Sequence, residues 1–136
     1  MAAPAGVNVA GAAAGKVFAE VDAFARRSGS RPETFAGLAG AGDLVATVLA
    51  AGSRNRRAGE LLGQGVPAGE IAPVLGQTAE AVGTVPLLAE RIAASGVEAP
   101  ALGGLADVIE GRIAPERWTA SITAPSPADR RKVRAA

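Results

Sequence analysis

Apolar residues recur along this chain at intervals of three and four, and the recurrences stop and restart at glycine and proline. Ala13, Val17, Val21 and Phe24 define one helical face over residues 9 to 27. Lys16/Glu20 and Asp22/Arg26 stand as i,i+4 charge pairs on other faces, Asn8 is placed to cap the start, and Ser28-Gly29-Ser30 ends the helix. Pro32 opens a short second helix running through Phe35 toward Gly37. Asp43 to Ala51 reads as a short apolar helix. Ser53 caps the next, which runs to about Gln64 with Ala58, Leu61 and Leu62 inward and Gly65 as its stop. Pro67 then opens a helix that includes Ile71 and Leu75 and ends at Gly76.

Val82, Val85, Leu88 and Ile92 continue the helical period between Ala79 and Ala94, but Pro86 interrupts it. A proline inside a helix removes one hydrogen bond, so the expected strong segment starts at Val85 with Thr84 as its cap. Leu102, Leu105 and Ile109 define a further helix ending at Gly111, and a last turn or two after Pro115 carries Trp118, whose expected place is the core. No segment shows the period-2 alternation of a strand, so the fold class is all-α, with no internal repeat. From Pro125 onward the chain has almost no apolar content. The expected organisation is therefore one domain over residues 1–124 and a basic, disordered tail over 125–136.

Composition sharpens this picture. Of the 136 residues 49% are hydrophobic but only 3% aromatic, so Ala, Val, Leu and Ile must build the core, which favours closely packed helices. A net charge of +1 argues against a nucleic-acid partner. Arg56 and Arg57, and the tail residues Arg130, Arg131, Lys132 and Arg134, lack interleaved aromatics and read as solvated surface. Cysteine and histidine are absent, which excludes disulfides, thiolate metal sites and a histidine base; no metal site is expected. No apolar run approaches the ~18 residues of a membrane span, and the N-terminus from Met1 lacks the charged and strongly apolar regions of a signal peptide. The expected location is cytoplasmic.

One stretch carries candidate chemistry. Gly37, Gly40 and Gly42 crowd into six residues and predict a compact turn delivering Asp43 to a defined place. Ten residues later Ser53-Arg54-Asn55 begins a helix, where free N–H groups and the macrodipole favour an anion. Arg54 adds a planar fork that matches phosphate oxygens. A carboxylate repels phosphate, so Asp43 suits hydroxyls beside it. Together these residues describe a pocket for a phosphorylated polyol; by spacing alone, a capping serine followed by solvated polar residues fits as well.

The motifs G37-L-A-G-A-G-D-L, S53-R-N-R and G59-E-L-L-G-Q-G resemble the substrate domain of bacterial-type NAD(P)-dependent glycerol-3-phosphate dehydrogenase. G6-V-N-V, R31-P-E-T-F-A-G-L, G76-Q-T-A-E and G96-V-E-A-P follow in the family's order, so the resemblance covers about residues 6 to 120. It implies a compact multi-helix domain like the C-terminal domain of the 6-phosphogluconate dehydrogenase-like superfamily. It also implies that Asp43, Ser53, Arg54 and Asn55 bind glycerol 3-phosphate or dihydroxyacetone phosphate, and that Arg54, Thr78 and Glu80 contact NAD or NADP. Read from the residues alone, Thr78 and Glu80 are a cap and a helix-opening acid. Thr78 stands where the family usually has valine, Ala81 where it has glycine, and Leu49-Ala50 where it has a Thr-Ser pair.

Oxidising a secondary alcohol requires a grip on the phosphate and hydroxyls, a nicotinamide ring, and a base for the hydroxyl proton. No G-x-G-x-x-G follows a strand here. In the family the general-base lysine precedes the stretch matching Gly6, at a point upstream of Met1, so no catalytic residue is expected within this chain. Lys16 falls at an arginine position. The expectation is a truncated or split substrate-binding portion, inactive alone, with a separate dinucleotide-binding chain restoring activity. The alternative is a non-catalytic helical remnant acting only in protein association. Both leave homo-oligomerisation open.

Overall fold

The computed structural model describes residues 6–124, and the tail expected from Pro125 lies outside them. Eight α-helices follow one another there: α1 (Val7–Arg27), α2 (Pro32–Ala36), α3 (Asp43–Leu49), α4 (Arg54–Gly63), α5 (Ala68–Leu75), α6 (Glu80–Ala94), α7 (Pro100–Ile109) and α8 (Pro115–Thr123). A π-helical turn, Leu38–Gly42, runs straight into α3. Among the described residues there is no strand, so the chain is all-α. No single helix there is long and apolar enough to cross a membrane.

The most buried helix is α7, with Ala101, Leu102, Ala106, Val108 and Ile109 all inside, and it packs on α1, α6 and α8. Pro100 at its first position, followed closely by the small residues Ala101, Gly103 and Gly104, suits a helix that neighbours approach closely. Trp118 of α8 illustrates the closeness. Its indole N–H donates to the Ala101 carbonyl at 2.9 Å, and a Cβ on Gly104 would lie 2.6 Å from its Cδ1. The half-buried tryptophan is thus part of the packing. A second apolar cluster joins Ala58 of α4, Ile71 of α5 and Ala79 just before α6, flanked by Leu61, Leu62, Val66, Leu75 and Val82. Ala58, Leu61 and Leu62 face inward, as the helical period predicts.

Polar groups on α1 orient the neighbouring helices. The expected Asp22–Arg26 pair forms at 2.7 Å. Lys16 and Glu20, also expected as a pair, instead reach different helices. The Glu20 carboxylate accepts the backbone N–H groups of Ala101 and Leu102, both at 2.8 Å, which are orphan donors in the first turn of α7. The Lys16 ammonium donates to the Ile122 carbonyl in the last turn of α8. Each charge meets the helix end of opposite polarity, which is worth more than an exposed side-chain pair.

Two helix starts and one turn differ from the sequence pattern. The cap of α1 is Gly6, whose carbonyl takes the N–H groups of Val9 and Ala10, and Asn8 lies inside the first turn. Nothing between Gly6 and Asn8 opposes helix, so the turn extends back to the glycine. Helix α6 begins at Glu80, not Val85, and continues through Pro86. Proline costs it the bond to the Val82 carbonyl, but both ends are held: Ala79 is 3% exposed and Ile92 is fully buried. The glycine turn avoids positive φ at Gly37, Gly40 and Gly42. Its requirement is close approach, since a Cβ on Gly40 would stand 2.2 Å from the Phe35 carbonyl oxygen.

Glu20→Ala leaves two N–H groups of α7 without an acceptor and should lower the unfolding free energy by about 2 kcal/mol, whereas Glu20→Gln, keeping one acceptor, should cost roughly half as much; urea titration measures both. Gly104→Ala should displace the indole, cost about 1–3 kcal/mol and red-shift the tryptophan fluorescence.

Candidate functional site

The site grows from the start of α4. Ser53 is its N-cap, and the Ser53 Oγ accepts the Arg56 N–H at 3.3 Å. Residues three and four apart share a helix face, so Arg54 and Asn55 lie on the side of Ala58, which is turned into the core. Across that core Ala79 is buried against Ala58, and its anchoring sets the first turn of α6 beside the first turn of α4. Two contacts join them. The Ala81 N–H donates to Asn55 Oδ1 at 3.1 Å, and Arg54 Nη2 pairs with Glu80 Oε1 at 2.8 Å. The pair is open to water, with side chains 45% and 59% exposed. Arg56 points elsewhere, to Glu60 and to the Val48 carbonyl of α3.

These bonds determine what the first turn of α4 can offer a ligand. Asn55 spends its amide oxygen on Ala81, so its amide NH2 is the end left for another molecule. Ser53 spends acceptor capacity on Arg56 and keeps an O–H to donate. Arg54 has donors only, and Nη2 alone engages Glu80. The backbone N–H groups of Arg54 and Asn55 belong to the helix-start donors that no intrahelical carbonyl can reach. The first turn of α4 thus offers donors, the complement of a phosphate group, with the Glu80 carboxylate as the acceptor beside it.

Asp43 makes no hydrogen bond or ion pair with this cluster. It is the exposed first residue of α3, directly after the π-helical turn, and has no hydrogen-bond partner among the described residues. The α3 contact with Arg56 is at Val48, about 7.5 Å further along the helix axis at 1.5 Å per residue. Thr78 is exposed and caps nothing: the N-cap of α6 is Ala79, and no side chain bonds there. A cavity of about 430 Å³ lies between the α4–α5 and α7–α8 connections, and one of about 290 Å³ among α1, α2, α3, α7 and α8. Neither is lined by Asp43, Ser53, Arg54, Asn55, Thr78 or Glu80. The constellation is an open surface, not an enclosed pocket. Among the described residues no group of three or more His, Cys, Asp or Glu side chains could hold a metal ion.

Met1, upstream of which the resemblance puts the general-base lysine, lies outside the described residues. Lys16, the one lysine among them, is committed to the Ile122 carbonyl and to the packing of α8.

The partnership of Arg54 with Glu80, and of Asn55 with Ala81, escaped the sequence pattern because the partners are 26 residues apart. Two signals were available: the spacing of Arg54 and Asn55 from Ala58, whose helix face they share, and the resemblance, which assigns Arg54 and Glu80 to one cofactor.

Residues 2–120 match the family described as NAD-dependent glycerol-3-phosphate dehydrogenase C-terminus. The chain is 38% identical over 122 residues to a glycerol-3-phosphate dehydrogenase [NAD(P)+] of Variovorax paradoxus, an overlap of 90% of this chain and 36% of that protein. It is 43% identical over 98 residues to the enzyme of the same name from Azotobacter vinelandii, covering 71% of this chain and 29% of the relative. For the Leifsonia xyli enzyme the identity is 39% over 97 residues, covering 71% and 26%. The chain therefore spans about a third or less of the length of the curated relatives it matches. No solved structure matches it. Fold, motif order and these overlaps agree, and the chain belongs to the family of C-terminal domains of NAD-dependent glycerol-3-phosphate dehydrogenase.

Proposed function

We propose that the first turn of α4 is the phosphate-binding part of a substrate site for glycerol 3-phosphate and dihydroxyacetone phosphate, in an NAD(P)-dependent dehydrogenase that supplies glycerophospholipid synthesis. The observation that carries this reading is the polarity of that turn: Ser53, Arg54 and Asn55 retain donors after their intrachain bonds are counted. A phosphate monoester supplies the acceptors, and the partial positive charge of the helix start adds to the attraction of Arg54. Asp43 is the acceptor for the polyol hydroxyls. It heads α3 at the end of the π-helical turn and makes no hydrogen bond or ion pair among the described residues, so its oxygens can accept from a ligand.

The residues also fit a nicotinamide dinucleotide, another acceptor-rich phosphate ligand. Arg54 and Glu80 stand together and partly exposed, and would hold it by its phosphate oxygens and its ribose hydroxyls, with Thr78 beside them. When bound, NAD or NADP takes up the hydride from the secondary alcohol carbon. The work of this chain is to bind and orient the phosphorylated end, so that the alcohol is presented in one pose.

A second reading, association with another protein, draws on the apolar residues at the surface around α3. Leu38 is 91% and Leu49 75% exposed, with Val45 and Val48 also outside. In that reading the chain self-associates or captures a partner, and glycerol 3-phosphate has no effect on it.

Two substitutions test the site in thermal-shift and calorimetric titrations with glycerol 3-phosphate. Arg54→Ala should abolish the ligand-induced rise in melting temperature, while the unliganded protein changes by less than about 1 kcal/mol because the ion pair is exposed. Asn55→Asp keeps the acceptor for Ala81 but replaces the NH2 with a charge; stability should hold while binding falls at least about tenfold. A chain whose melting is indifferent to the ligand, and to Arg54→Ala, would favour the association reading.

A further inference from the structure

The ion pair between Arg54 and Glu80 has a consequence beyond holding α4 to α6. Glu80 is an anion lying where a ligand's anion would lie, 2.8 Å from Arg54 Nη2. It cannot retreat with its helix, because Ala79 before it is 3% exposed in the core and Ala81 after it is tied to Asn55. Its side chain, 59% exposed, can swing into water. Breaking the pair therefore involves one side chain and leaves the backbone of both helices in place.

We propose that Glu80 is a built-in competitor for the anion site on Arg54: it occupies the guanidinium in the empty protein and must be displaced by an incoming phosphate. The inference rests on the reading of Arg54 as the phosphate ligand and adds the residue that tunes it. Two costs oppose the phosphate, the loss of the existing pair and the repulsion between its charge and the nearby carboxylate. A neutral polyol meets neither cost. Glu80 thereby makes the site demand a strongly charged group, and it lowers the affinity so that the phosphorylated product can leave. Asn55 completes the device. Its Oδ1 holds the start of α6 whether or not Glu80 is paired, so displacement does not loosen the helix.

The test compares the whole chain with Glu80→Gln, Glu80→Asp and Arg54→Ala by calorimetric titration with sn-glycerol 3-phosphate, and with glycerol as the uncharged probe. Glu80→Gln should tighten glycerol 3-phosphate binding about three- to tenfold, with glycerol unchanged and the melting temperature nearly so. Glu80→Asp retains the competing charge and should stay within about twofold of the parent. Unchanged or weaker binding in Glu80→Gln, with Arg54→Ala still abolishing it, overturns the competitor and leaves the phosphate site standing. Absence of binding in both the parent and Glu80→Gln, or binding that survives Arg54→Ala, overturns the phosphate site itself. Binding seen only in Glu80→Gln supports the competitor in its strongest form.

Discussion

The carboxylate of Glu20 on the start of α7 is the contact on which the arrangement of this domain depends. A helix start buried against neighbours leaves N–H groups that water cannot reach, and each unmet donor is costly. Pro100 removes one such donor by its chemistry, and Glu20 takes the next two from 81 and 82 residues away. One turn earlier on α1, Lys16 does the reciprocal service for the carbonyl end of α8. The long first helix thus holds the two last helices by their ends. In a core with little aromatic bulk this matters, because small apolar side chains alone allow helices to slide and rotate with little penalty.

The same device, a side chain of one helix serving the first turn of another, recurs where function is proposed. Asn55 holds α6 as Glu20 holds α7. The difference lies in what remains afterward. Glu20 engages a backbone N–H with each of its oxygens, whereas Asn55 gives its oxygen to the protein and keeps its NH2 in reserve. An amide at this position can serve architecture and ligand at once because its two ends have opposite hydrogen-bonding character. Arg54 achieves a similar division through its number of donors, one of them engaged by Glu80. The stretch from Phe35 to Asn55 shows another economy. Gly40 lets the chain fold onto the Phe35 backbone, and the π-helical turn then releases Asp43 at the head of a short helix that turns Leu44 inward and leaves Val45, Val48 and Leu49 outside.

Much of this was legible in the order of residues. Helical periods, proline starts and glycine stops located seven of the helices closely, and Gly76 and Gly111 do terminate α5 and α7 with positive φ. Motif order placed the family, and Ser53 was recognisable as a cap because its hydroxyl serves a residue three positions on. The misreadings have one origin. Pro86 predicts a break from local energetics, yet burial on either side of it outweighs one missing bond. Lys16 and Glu20 predict a mutual pair, yet partially buried helix ends are better partners than each other.

By itself, then, the sequence determined an alanine-built all-α domain, the identity of its polar turn and the family to which it belongs, since each follows from neighbours within a few positions or from motifs in order. Tertiary structure alone decided that Glu80 meets Arg54, that Asn55 spends its oxygen on α6, and that Asp43 bonds to neither Arg54 nor Asn55. Those relations depend on how Ala58 and Ala79 pack, and packing joins residues whose separation along the chain carries no local signature.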